Sequence, residues 1–196
     1  MAEKLSFLIL AIAMPMMAHG NSIGEGPEAV QEWFKNLPNA KEKVTKLHLY
    51  MHDVIGGKNP TVITVAQSNY SLNSPTMFGL TRMMDNALTV GPDHETEPQP
   101  ESNVIGRAQG IYGAASMEEI GLLMTFNFVF THGEYNGSTL SVLGHNPFLH
   151  RYREMPVVGG SGVFRLARGI ATANTVWVNI TSQCAVIEYN VIVLHY

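Results

Sequence analysis

Short apolar segments separated by turn-forming clusters are the feature of this 196-residue sequence that most restricts its fold. From Lys46 onward, apolar, β-branched or alternating stretches recur eight times, and none keeps a helical period. They lie near 46–55, 60–67, 77–90, 104–114, 120–131, 138–144, 162–173 and 184–195. Clusters such as "GGKNP", "HGEYNGS" and "GGSG" separate them. Consecutive strands without crossover helices predict an all-β antiparallel barrel or sandwich.

The N-terminus and the cysteine count favour the barrel. In "MAEKLSFLILAIAMPMMAHG" a short polar start with Lys4 precedes a short apolar run and small residues. This pattern predicts a secretory signal peptide over residues 1–20, with a membrane anchor as the alternative interpretation. Cys184 is the only cysteine, so no internal disulfide can support a secreted domain. Closure of the sheet and core packing must then stabilise it, and an eight-stranded barrel is just wide enough to hold one small ligand.

Composition along the chain predicts the domain organisation. Residues 21–45 mix glycine, proline and charge and form a predicted N-terminal extension, and residues 46–196 form the predicted barrel domain. Two longer loops are expected, at 91–103, which is acidic and proline-rich, and at 144–160, which carries histidine, asparagine, arginine and aromatic residues.

Because secreted proteins can be N-glycosylated, the predicted signal peptide makes three sequons candidate glycosylation sites. They begin at Asn69, Asn136 and Asn179.

Charge and histidine spacing exclude several classes of partner. Twelve basic and sixteen acidic residues give a net charge of -4 without a basic cluster, which argues against nucleic acid and against an anionic membrane surface. His48 and His52 are four residues apart, but on a strand that spacing separates their Cα atoms by about 13 Å. This is too far for shared metal coordination, so we expect no metal and no other cofactor.

The stretch "LHLYMHDVIGG" places one acid on an apolar strand face. Alternation puts Leu47, Leu49, Met51, Asp53 and Ile55 on the same side. Two interpretations stay open: Asp53 is a strand-end residue beside the "GGKNP" turn, or it is a working acid inside a dry pocket, with Leu49 and Met51 as the apolar wall.

Three further polar residues are candidates for such a pocket. Tyr112 in "GRAQGIYG" projects singly from its strand face, and Asn146 and Arg153 flank the loop "NPFLHRYR". The alternative is that Tyr112 is an ordinary core residue and that Arg153 pairs with a surface acid. Cys184 is predicted to be a small buried residue and not a nucleophile.

At these same segments the sequence resembles the plant dirigent family. The matching stretches cover residues 46–196 in order: "LHLYMHDVIGGKNPT", "MFGLTRMMDNALT", "VIGRAQGIYG", "FNFVFTHGEYNGSTLSVLG", "REMPVVGGSGVFRLARG" and "AVIEYNVIVLHY". The resemblance implies an eight-stranded antiparallel β-barrel similar to allene oxide cyclase and of calycin-like type. It further implies a homotrimer that is secreted to the plant apoplast and glycosylated.

The resemblance also implies chemistry on phenolic intermediates. Lignan-forming dirigents receive phenoxy radicals from a separate laccase or peroxidase and direct their coupling and the closure of a quinone methide. Pterocarpan synthases of legumes instead dehydrate an isoflavanol through a quinone methide and close a ring. A third hypothesis is a non-catalytic scaffold in plant defence or the cell wall.

By position, the resemblance implies catalytic roles for Asp53 and Arg153 and a substrate-binding role for Tyr112. Pinoresinol-forming members carry "DPF" where this chain has "NPF", so Asn146 replaces an acid, and a second pocket tyrosine corresponds to Ala114. Both differences weaken the pinoresinol assignment and favour the pterocarpan-synthase branch. Asp53 is then the acid that remains to move a proton, because burial raises the pKa of a carboxyl group.

Overall fold

The computed structural model describes residues 26–92 and 103–196 of the chain. The predicted signal peptide and most of the predicted loop at 91–103 lie outside these residues. The described elements are, in chain order, helix α1 (Pro27–Asn36), a 3-10 turn (Leu37–Asn39), strand β1 (Lys43–Val54), β2 (Val62–Ala66), helix α2 (Asn69–Asn73), β3 (Thr81–Thr89), β4 (Val104–Ala114), β5 (Leu122–Phe130), a 3-10 turn (Gly133–Tyr135), β6 (Thr139–Asn146), β7 (Tyr152–Ser161), a 3-10 turn (Gly162–Phe164), β8 (Arg168–Asn179) and β9 (Cys184–His195). None of the described helices is long and apolar enough to cross a membrane.

The strands close into an antiparallel barrel. Neighbouring strands follow the order β1-β9-β8-β7-β6-β5-β4-β3, and β3 pairs back with β1. Closure pairs the backbone groups of every barrel strand on both sides, which removes the exposed sheet edges. The predicted eight-stranded antiparallel barrel is therefore confirmed.

Strands β1 and β2 share one position in this barrel. Residues 50–52 of β1 pair with residues 87–89 of β3, and β2 pairs with the preceding part of β3. Residues 55–60 loop out between them, and the Thr61 backbone N–H donates to the Val54 carbonyl at 2.8 Å. One long barrel strand is thus interrupted directly after Asp53 and Val54.

The sequence-based prediction misses one barrel strand and counts another as two. It treats residues 144–160 as a loop, whereas β7 occupies Tyr152–Ser161, and it counts 60–67 as a separate barrel strand. β7 carries Pro156, which cannot donate to a ladder, but the β6–β7 register ends at Val157, so Pro156 lies beyond it. The two errors cancel in the strand count. Residues 43–45 of the predicted extension also belong to β1.

Apolar side chains fill the interior and close one end of the barrel. Phe126, Phe128 and Tyr189 are almost fully buried, and Phe128 meets the other two rings edge to face at 5.1 and 5.2 Å. At one end, the rings of Tyr135 and Phe164 lie 5.0 Å apart and cap the core. The other end carries the polar groups described next.

Candidate functional site

Antiparallel alternation brings the predicted site residues to one end of the barrel. Asp53 and Tyr112 lie near the C-terminal ends of β1 and β4, and Asn146 ends β6. Arg153 is the second residue of β7, which begins at this same end. Neighbouring antiparallel strands end and begin at the same level, so residues that are far apart in sequence converge here.

Asp53 lies on the inward face of β1 and contacts the interior. Leu47, Leu49 and Met51 on the same face are buried, as alternation predicts. Among the described residues, the hydrogen bond to the Asp53 carboxyl comes from the side chain of Asn86, whose Nδ2 lies 2.9 Å from Oδ1. The turn at 55–60 is instead held to β1 through Thr61. The turn-capping interpretation of Asp53 therefore has no contact to support it in the described residues.

A short hydrogen-bond chain holds this carboxyl in place. The Thr61 hydroxyl donates to the Asn86 Oδ1 at 2.5 Å, which fixes the amide so that its NH₂ points at Asp53. Burial raises the pKa of Asp53, and the hydrogen bond from Asn86 and the positive charge of Arg82 oppose that rise. The carboxyl is thus suited to hold a proton at higher pH than an exposed aspartic acid does.

Tyr112 faces an arginine that the sequence analysis did not select. Tyr112 and Arg82 are directly opposed across the β4–β3 pair, and Tyr112 is only 8% exposed. Burial, together with the negative charge of Asp53, raises the pKa of Tyr112 to about 12, while Arg82 works in the opposite direction. Tyr112 is therefore a neutral hydroxyl at physiological pH.

Arg153 and Asn146 form a second polar pair at this end. Arg153 is 4% exposed, and its Nε donates to the Asn146 Oδ1 at 3.2 Å. Its Nη1 lies 3.3 and 3.4 Å from the carbonyl oxygens of His150 and Arg151. Burial lowers the pKa of Arg153, against the influence of Tyr189. All of these partners are neutral, so Arg153 does not pair with a surface acid within the described residues.

Leu49 and Met51 lie where the sequence analysis places the pocket wall. Leu49 is 3% exposed and Met51 is 4% exposed. Leu49 pairs across the sheet with Tyr189, which in turn is level with Ala173 and Arg153. The apolar wall of β1 thus continues around the barrel to the second polar pair.

Tyr189 and Arg82 were missed as candidates, although alternation marks both. In "VIEYNVIV", Tyr189 shares its face with apolar Ile187, Val191 and Val193. In "TRMMDNALT", the residues at every second position after Arg82 are buried. Burial raises the pKa of Tyr189, which leaves it a neutral phenol beside Arg153. The alternation argument that selected Asp53 would have found these two.

The remaining predicted positions lie away from the polar end or at its rim. Asn69 and Asn136 are exposed, and Asn179 is partly buried with its Oδ1 accepting from the backbone N–H groups of Thr181 and Ser182 at 3.0 and 3.1 Å. Cys184 is buried with its thiol 3.3 Å from the Ser182 carbonyl oxygen.

No described cluster of His, Cys, Asp or Glu is arranged to hold a metal ion. The two spaced histidines have separate partners: His48 contacts Glu188 at 2.7 Å, and His52 contacts Thr89 at 2.8 Å. A surface groove of about 290 Å³ lies outside the barrel, where Arg107 and Asp85 pair beside Ile63 and Met83. The groove includes Thr61, which bonds to Asn86, but Asp53, Tyr112, Asn146 and Arg153 do not line it.

Comparison with known proteins gives consistent matches over most of the chain. A family model described as dirigent-like protein matches residues 44–194. Dirigent protein 23 of Arabidopsis thaliana is 42% identical over 188 residues, which is 96% of this chain and 94% of the relative. Pterocarpan synthase 1 of Glycyrrhiza echinata is 44% identical over 157 residues, which is 80% of each chain. The solved structure of the pterocarpan synthase dirigent protein GePTS1 superposes with a TM-score of 0.70 at 45% identity, over 80% of this chain and 87% of that one.

Proposed function

Because the chain belongs to the dirigent family, we propose that it imparts stereoselectivity on reactions of phenolic intermediates, namely phenoxy-radical coupling and quinone methide cyclisation. The observation that carries the proposal is the desolvated carboxyl of Asp53, held by Asn86 at the same barrel end as the buried Arg153. An aromatic substrate would lie against the apolar wall, with its reacting groups near these two side chains.

The two ionisable residues have complementary roles in this proposal. A quinone methide needs a proton supplied or removed as it forms and closes. Because burial raises the pKa of Asp53, its carboxyl keeps its proton to higher pH than an exposed aspartic acid and is a stronger base once ionised. Arg153 keeps its positive charge and can donate hydrogen bonds to the oxygen that gains electron density. The buried surroundings exclude water, which would otherwise add to the quinone methide without stereochemical control.

The test compares Asp53→Asn with Asp85→Asn. Asp85 is an exposed acid on the outer face of β3, so its substitution is a matched control. Coniferyl alcohol with laccase, and an isoflavanol without oxidant, are each incubated with wild type and both variants, and the products are separated by chiral chromatography. We expect enantiomeric excess with wild type and Asp85→Asn, and a loss of about 10²-fold or more in the product-forming effect with Asp53→Asn. Racemic product with wild type in every arm contradicts the proposal.

A second candidate function is that of a pterocarpan-synthase-type enzyme. Asn146 stands beside Arg153 as a neutral amide, and Asp53 is the carboxyl whose charge acts on Tyr112 and Tyr189. A single acid suffices for dehydration of a substrate whose conjugated phenol is ionised: Asp53 protonates the leaving hydroxyl, and water departs as the phenolate becomes the quinone methide. The resulting carboxylate then accepts the proton of the attacking hydroxyl, and ring closure regenerates the phenolate. Turnover of the isoflavanol without oxidant would select this function over radical coupling.

The assembly and location of the protein are part of the same proposal. The chain is secreted to the plant apoplast, carries N-glycans at Asn69, Asn136 and Asn179, and forms a homotrimer. A separate laccase or peroxidase supplies radicals if the coupling reaction applies, and no cofactor is required. Peptide mapping of protein from plant cell walls checks the glycans, and sedimentation velocity checks the trimer.

A further inference from the structure

The inward face of β3 adds a second arginine to the polar end. Arg82 is the second residue of β3 and lies directly opposite Tyr112 in the β3–β4 register. Met84, Asn86 and Leu88, at alternate positions after it, are all buried. Side chains on a strand alternate between faces, so Arg82 points into the barrel with them.

Arg82 has a hydrogen-bond donor without an acceptor. Its Nε is buried and has no hydrogen-bond partner among the described residues. No ion pair within 4.0 Å joins Arg82 to a described carboxylate, although Asp53 is near enough for the two charges to interact. A buried N–H group is costly without an acceptor, so its presence points to a ligand atom that completes it.

The charge of the site points to an anionic ligand. Among the described residues, the charged side chains that face inward at this end are Asp53, Arg82 and Arg153, with the neutral phenols Tyr112 and Tyr189, while His145 and Glu119 pair with each other at the rim. The carboxyl can offset the charge of one guanidinium only. A negatively charged oxygen on the ligand would compensate the other, and the low dielectric of a buried site strengthens that attraction.

We propose that Arg82 is a substrate-binding residue that, together with the Tyr112 hydroxyl, forms a donor pair for an ionised phenolic oxygen. This proposal rests on the proposed function for the class of substrate, but it adds an oxyanion position on β3–β4, separate from Arg153 on β7. The ring of the phenol would rest on the apolar side chains between the two positions. The site therefore binds a phenolate more tightly than the same phenol in its neutral form.

The experiment uses para-nitrophenol as the probe, because its absorption reports ionisation directly. Its binding to the full chain is titrated from acidic to alkaline pH with wild type, Arg82→Met and Arg82→Gln. Arg107→Met is the matched control, since Arg107 lies on the outer face of neighbouring β4 and pairs with Asp85. Circular dichroism verifies that each variant is folded, and the neutral but polar Arg82→Gln substitutes for Arg82→Met if the latter does not fold.

We expect the bound probe to ionise at lower pH than the free probe with wild type and Arg107→Met. With Arg82→Met, phenolate affinity should fall about ten- to hundred-fold, while affinity for the neutral phenol changes by no more than about two-fold. A purely structural role of Arg82 would weaken both forms equally. The proposal is overturned if Arg82→Met, or Arg82→Gln in its place, keeps both the wild-type phenolate affinity and the shift in ionisation, or if wild type does not bind the phenolate.

Failure of this proposal is distinguishable from failure of the proposed function. Normal phenolate binding without any stereochemical effect on products would refute the reaction and leave the Arg82 site standing. Stereoselective product formation with unchanged phenolate binding in Arg82→Met would refute the Arg82 site and leave the proposed reaction standing.

Discussion

Replacing Asn86 with leucine tests how the barrel holds the inward-facing acid Asp53. Asn86 is fully buried, accepts from the Thr61 hydroxyl at 2.5 Å and donates to the Asp53 carboxyl at 2.9 Å. Leucine has a similar volume, so packing changes little, but both hydrogen bonds are lost. The Thr61 hydroxyl and the Asp53 carboxyl then lose their partner in the interior.

The size of the effect follows from these two bonds. A neutral side-chain hydrogen bond contributes about 1 kcal/mol to stability and one to a charged group about 1.5–3 kcal/mol. Asn86→Leu should therefore lower the free energy of unfolding by about 2–4 kcal/mol at neutral pH. For a domain of this size, that loss corresponds to a fall of roughly 5–15 °C in the melting temperature.

The loss should depend on pH because one of the two bonds is made to an ionisable group. Burial already raises the pKa of Asp53, and the hydrogen bond from Asn86 opposes the rise. Without that bond the pKa of Asp53 in the folded variant rises further, so an ionised Asp53 destabilises the folded variant more than the folded wild type. The stability difference between wild type and variant should be smallest in acid, where Asp53 is protonated in both states. It should grow as pH rises from the raised pKa of Asp53 in the wild type to its still higher pKa in the variant, because below this window Asp53 is protonated in both folded proteins.

Urea unfolding followed by circular dichroism at a series of pH values measures this difference. Asn127→Leu is the control, because Asn127 is an exposed residue of β5 whose side-chain oxygen accepts from Ser141. That change should stay within about 0.5 kcal/mol at every pH. A stability loss with Asn86→Leu that is the same at all pH values would refute the claim that Asn86 supports the ionised carboxyl.

Two further predictions concern stability. Asp53→Asn should stabilise the protein by about 1 kcal/mol at neutral pH, because a carboxyl with a raised folded-state pKa destabilises the fold above the ordinary aspartate range. Thermal melts should show that this gain disappears on acidification into the ordinary aspartate range. A variant that is less stable than wild type at neutral pH contradicts the predicted direction. Phe128→Ala should lower the free energy of unfolding in urea by about 3–5 kcal/mol, since Phe128 is 0% exposed and packs edge to face against Phe126 and Tyr189. A loss below about 1 kcal/mol would show that the surrounding core collapses into the space left by the ring.

Much of the fold and part of the candidate site can be predicted from the alternation of side chains along single strands. The pattern of "LHLYMHDV" correctly places Leu49, Met51 and Asp53 on the inward face of β1. The same pattern holds for Arg82 in "TRMMDNALT", where Met84, Asn86 and Leu88 at alternate positions are buried, although a charged residue is more often exposed than buried. The alternation of a strand predicts reliably which residues face the interior when the neighbouring residues on that face are apolar. It predicts this less reliably when those neighbours are polar.

Prediction fails where pairing partners decide the structure. β7 contains Pro156 and two consecutive glycines, so its composition indicates a loop. It is a strand because β6 and β8 lie on either side of it and the β6–β7 register stops short of the proline. β1 and β2 likewise look like two strands, and only their shared pairing with β3 shows that they fill one position.

The sequence by itself determined that this chain forms an all-β antiparallel domain, because period-two alternation and the positions of the turns are local properties of the chain. The lone cysteine and the family resemblance then favoured a closed barrel over a sandwich, and the structure confirms it. It also marked Asp53 as an acid on an apolar face. Only the tertiary structure decided which groups meet that acid. Asn86, Arg82 and Tyr112 come from β3 and β4, and strand register, which depends on the whole closed sheet, sets them beside a residue of β1.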